Sequence, residues 1–129
     1  HDSIVYVPEA KIAWTANMVF GEGTIPWARS GNIAAYLETL QRFSAKIQPK
    51  IIVPGHGKIA TGGIIDTYQR YLVGVLEAGT LAVAGGLSGE ALVADAEVSA
   101  DYSISPPLRV LMTGFHRWNL QAAYREVVR

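Results

Sequence analysis

The run Ile51-Ile52-Val53-Pro54-Gly55-His56-Gly57 constrains the fold of this chain more than any other. Three consecutive β-branched residues form a short strand, and Pro54, which lacks a backbone N–H, ends it. An apolar run without alternation predicts a strand covered on both faces. Glycines on either side of His56 predict a sharp turn whose backbone approaches a neighbouring group closely. Upstream, Ile33, Tyr36, Leu37, Leu40 and Phe43 recur at helical spacing, which predicts an amphipathic helix over 33–47, closed by Pro49. Helix, tight connection and buried strand in that order imply a layered α/β architecture.

The other segments fit around this unit. Residues 3–7 and 12–15 read as two short strands joined by Pro8-Glu9-Ala10-Lys11, a β-hairpin. From Asn17 to Ser30 the chain carries Gly21, Gly23 and Pro26, which predict an irregular loop. Tyr68, Leu72 and Val75 mark one side of a helix over 64–76. Residues 71–87 are the most hydrophobic stretch. Glu77, four glycines and a length short of the ~20 residues of a membrane span favour a buried or interface helix there. Its apolar surface exceeds what one helix face buries, so a homodimer is expected. A short helix over 88–97, a turn-rich stretch through Pro106-Pro107 and a last helix over about 115–128 complete the chain. No linker composition divides it, so residues 1–129 are read as one unit.

Composition narrows the class of partner. Half of the 129 residues are apolar, and 11 basic side chains balance 11 acidic ones, which suits a packed core and gives no basic excess for nucleic acid. With no cysteine, disulfides and thiolate metal sites are excluded, and any metal would be held by nitrogen and oxygen. Nothing at the N-terminus resembles a secretory signal, which favours the cytoplasm, although an upstream signal peptide is not excluded.

Three histidines, at 1, 56 and 116, are the candidate ligands or bases. His56 stands out because it follows a buried strand, where layered α/β folds place ligands. Asn17, at the end of the second hairpin strand, reads from position alone as a turn former. His116 reads as a surface or interface residue at the start of the last helix. The aspartates 2, 66, 95 and 101 are scattered, and no phosphate loop or nucleophile elbow occurs.

In this order, residues 2–9, residues 11–20, the helix at 33–47, Val53-Pro54-Gly55-His56-Gly57 and Phe115 to Glu126 resemble the second half of a metallo-β-lactamase fold hydrolase. The resemblance covers roughly the whole chain. It implies an αββα sandwich of which this chain is the C-terminal half, the first half lying outside it. It also implies a zinc-dependent hydrolase with about two zinc ions per complete site, using a metal-bound hydroxide on a small-molecule substrate. His56 matches a metal-binding histidine of the family. Asn17 matches its bridging aspartate, here in Thr15-Ala16-Asn17. An amide offers a neutral oxygen where a carboxylate offers charged ones, so metal binding should weaken and the bound water should ionise more readily.

The family's H-x-H-x-D-H run is missing, and alignment on Ser3 places a further ligand histidine upstream of His1, making His1 a neighbour of the site. Asparagine at this position also resembles a hydrolytic dehalogenase that acts on a chlorinated aromatic, with Trp27, and less so Trp14, as an aromatic wall. Expected pocket residues are therefore Trp27 and His1. The alternatives are another hydrolase of the family (lactonase, thioesterase or β-lactamase) or a non-catalytic interaction module with a decayed metal site.

Overall fold

The computed structural model describes residues 2–129. The hairpin is present as β1 (Val5–Val7) and β2 (Ile12–Trp14), paired antiparallel. The helix α1 (Ile33–Lys46) follows, its first turn capped by the Asn32 side chain, which accepts from the Ala35 N–H at 2.9 Å. It leads into β3 (Ile51–Val53), which pairs parallel with β2, and β4 (Ala60–Thr61) pairs antiparallel with β3. The sheet order is β1-β2-β3-β4. The chain is thus mixed α/β.

Register separates the two faces of this sheet. Tyr6, Ala13, Ile52 and Ala60 stand side by side on one face. Ala13, Ile52 and Ala60 are buried in the same core as Ile33, Leu40 and Phe43 of α1 and Tyr68, Leu72 and Val75 of the next helix. Val5, Trp14 and Val53 are partners on the other face, beside Val7, Ile12 and Ile51. Among the described residues nothing covers that side: Val5 is 58% exposed, Trp14 42% and Ile51 39%. The sequence expectation that β3 is covered on both faces therefore holds for one face only. Trp14 is part of this open face rather than of the core.

The second helix, α2, runs from Ile64 to Ala84, eight residues beyond the expected end. Gly74 and Gly79 do not break it. Gly79 is where α2 meets the last helix, and a Cβ there would lie 3.0 Å from the Ala123 backbone carbon. After the short α3 (Gly89–Val93), capped by Ser88, comes α4 (Arg109–Val128). It begins well before the expected Phe115 because Pro106-Pro107 open a 3₁₀ turn leading into it; proline is pre-organised for the start of a helix. Met112, Asn119, Leu120, Ala122 and Ala123 of α4 are buried, while Trp118 and Val127 are exposed. Glu126 reaches from α4 to the start of α1, where its carboxylate accepts from the Ile33 and Ala34 N–H groups. Among the described residues no helix is long and apolar enough to cross a membrane.

Candidate functional site

Because β2 and β3 are parallel, the loops that follow them leave the same edge of the sheet. One loop carries Asn17, in a 3₁₀ turn over Ala16–Met18, and the other carries His56. The ladder continues past the strands: the Thr15 N–H donates to the Val53 carbonyl at 3.1 Å and the Gly55 N–H to the Ala16 carbonyl at 2.7 Å. At this spacing the second loop has no room for side chains at the two positions flanking His56. A Cβ on Gly55 would lie 2.8 Å from the Ala16 oxygen. On Gly57, at φ +90°, it would lie 2.2 Å from the Phe20 oxygen. The glycines beside His56 therefore exist for the close approach that the sequence predicted, and the group approached is the loop bearing Asn17.

Two tyrosines fix that loop from below, and sequence reasoning had placed both only as apolar positions of helices. The Tyr36 hydroxyl, from α1, donates to the Met18 carbonyl. Tyr68, from α2, accepts from the Phe20 N–H at 3.1 Å and shares a 2.6 Å bond with the Thr24 hydroxyl, which itself donates to the Gly21 carbonyl. Burial holds both phenols protonated, raising Tyr36 well above its ordinary range and Tyr68 to about 12. The available signal was the chemistry of tyrosine: a buried hydroxyl requires a partner, here on the loop.

Asn17 and His56 line one cavity of about 800 Å³, within the range of small-molecule sites. Trp27 lines it too, as expected, together with Phe20, Asp2 and Arg29. The Phe20 ring stands 6.3 Å from the imidazole of His56, which is exposed. Asp2 is a further oxygen donor that sequence reasoning had set among the scattered aspartates. His1, the other expected pocket residue, lies outside the described residues. Trp14 is not part of the cavity wall. His116 is elsewhere as well, half-buried in the middle of α4 rather than at its start, with Nδ1 2.8 Å from the Tyr71 hydroxyl. Desolvation, with a smaller contribution from Arg117, lowers its pKa.

The chemistry available is that of an imidazole nitrogen, a neutral amide oxygen and a carboxylate around a half-apolar cavity. Among the described residues, no group of three or more His, Cys, Asp or Glu is placed to hold a metal ion. His56 and Asn17 fit as part of a zinc shell, since zinc accepts nitrogen and oxygen donors, but not as the whole of one. No family model matches the chain, and no curated protein matches it.

Proposed function

We propose that the chain is the C-terminal half of a metallo-β-lactamase-type hydrolase, contributing His56 and Asn17 to a zinc site completed by residues outside it. The observation that carries this reading is the meeting of Asn17 and His56 in one cavity at the ends of parallel β2 and β3. The open apolar face of the sheet supports it too, because a second sheet packed there at about 10 Å would complete an αββα sandwich. When bound, zinc lowers the pKa of water and supplies a nucleophile near neutral pH.

The chain's own residues have separate tasks in this reading. The glycine-braced turn fixes His56, and Tyr36 and Tyr68 hold the loop from which Asn17 offers its amide oxygen. Phe20 and Trp27 give the cavity apolar walls that exclude water. The neutral amide leaves the metal site more positive than a carboxylate would, which suits displacement of chloride from an electron-poor ring. The specific activity is hydrolytic dehalogenation of a chlorothalonil-type aromatic, replacing C–Cl by C–OH with release of chloride and a proton. A panel containing such a substrate, a lactone, a thioester and a β-lactam tests this on the protein that includes this chain. Chloride release that disappears in His56→Ala is the expected result; turnover of another member alone would reassign the substrate.

A non-catalytic interaction module is the second reading, favoured by the incomplete donor set among the described residues. It predicts no bound zinc and no turnover. A homodimer, through the exposed Val73 and Leu81 of α2, is compatible with either reading, and sedimentation velocity tests it.

A further inference from the structure

Helix α4 carries a polar device for which neither the fold nor the reading above has a use. Asn119 is fully buried in the middle of that helix, where a polar side chain is costly unless satisfied. Its Oδ1 accepts from the Ala28 N–H at 2.9 Å, and its Nδ2 donates to the Pro26 carbonyl at 2.7 Å. These two partners are the residues before and after Trp27. One turn face of α4 adds two more holds: the Trp118 indole N–H donates to the Ala28 carbonyl at 2.9 Å, and Trp27 stacks on Phe115 with ring centroids 4.7 Å apart and planes 6° apart. The Nδ2 of Asn119 also donates to the Tyr71 hydroxyl at 3.1 Å, which orients the amide from α2.

A loop residue whose ring lines a cavity is ordinarily free to change rotamer. Trp27 is not, because both its flanking peptide groups and one face of its ring are held by a single rigid helix. From this we infer that Asn119 and Trp118 are positioning residues for the candidate site: they fix the Trp27 indole as a preset wall of the cavity that Asn17 and His56 share. Both act through Trp27, since neither lines the cavity. The inference depends on that cavity being the working site, and not on which bond is hydrolysed there.

The test uses the full chain with 5-fluorotryptophan at positions 14, 27 and 118, read by ¹⁹F NMR, the Trp27 resonance being assigned from Trp27→Phe. Indole, a neutral flat probe, is titrated into the wild type, and a shift of the Trp27 resonance with that of Trp14 unmoved is expected. Asn119→Leu removes three hydrogen bonds, two of them to the peptide groups flanking Trp27, and should move or broaden the Trp27 resonance and weaken indole binding about fivefold or more. Trp118→Phe replaces an exposed residue and removes the bond to Ala28 together with the indole that stands edge-on to Trp27, ring centroids 6.5 Å apart; it serves if Asn119→Leu does not fold, and its readout is weakened indole binding, which a changed ring current alone would not produce. An unmoved Trp27 resonance in the folded variants, or unchanged indole affinity, would overturn the inference. Failure of the hydrolase reading shows elsewhere, as absent zinc and turnover with the Trp27 clamp intact.

Discussion

Ala16 adopts φ +48°, a conformation that carries a steric penalty of about 1–2 kcal/mol for any residue with a Cβ. It immediately precedes Asn17, and the strain is maintained by the Gly55 N–H bond to its carbonyl and by the Tyr36 bond to Met18. Ala16→Gly should therefore stabilise the chain by about 0.5–1 kcal/mol, after the added flexibility of the unfolded chain is subtracted. Urea denaturation would show this as a higher midpoint at unchanged slope. Gly57→Ala should act in the opposite direction, by about 2 kcal/mol or more, because the new methyl meets the Phe20 carbonyl. His56→Ala removes an exposed side chain and should change stability by less than about 0.5 kcal/mol. Of these features, the glycine bracket around His56 was legible in the sequence, since glycine on both sides has few other uses. The strain at Ala16 was not, because no residue type declares a positive φ other than glycine. Tyr36 and Tyr68 were legible as buried but not as clamps, because their partners lie 18 and 48 residues away.

At the scale of elements, the short hairpin, α1 and β3 were legible because each is defined by local spacing. The two long helices were misjudged where local signals conflict with packing. Glycines within α2 argue against a helix in isolation, yet Gly79 is the point at which α4 comes close. Pro106-Pro107 form the expected turn, a 3₁₀ turn, but it leads directly into α4 at Arg109. The mutual dependence of these helices includes a titratable contact. His116 Nδ1 shares a hydrogen bond with the Tyr71 hydroxyl, and burial, followed by Arg117, lowers its pKa from 6.5. Below pH 6.5 the unfolded chain thus binds protons that the folded chain refuses, and stability rises with pH in that window. The stabilisation should be complete above pH 6.5 and be lost as pH falls toward the lowered value. Urea midpoints for wild type and His116→Gln across pH 5–8 would check this, the variant lacking the His116 part of the slope. At the other end of α4, Glu126→Ala should cost about 1 kcal/mol by removing a charged cap from α1, again read by urea denaturation.

For the molecule as a whole, the consequential feature is asymmetry of the sheet. One face is packed under α1 and α2, and the other presents Val5, Trp14 and Ile51, with nothing over them among the described residues. On the reading proposed above, this apolar face takes a second sheet. Register made this legible only in part: the uninterrupted Ile51-Ile52-Val53 run indicated two apolar faces but not that one of them lies open among the described residues. Trp14→Lys should leave the stability of this chain within about 0.5 kcal/mol, since the side chain is exposed, and should prevent a covering layer from docking. Co-purification of this chain with that layer would show the difference.

On the function proposed above, Asn17 and His56, brought together at this end of the sheet, belong to a metal shell. The deciding measurement is zinc content, by mass spectrometry, on the gel-filtered protein that joins this chain to the proposed first half. The predicted result is bound zinc in the wild type and loss of about one ion in His56→Ala, with the elution position unchanged. Equal zinc in both proteins, or none in the wild type, would contradict it.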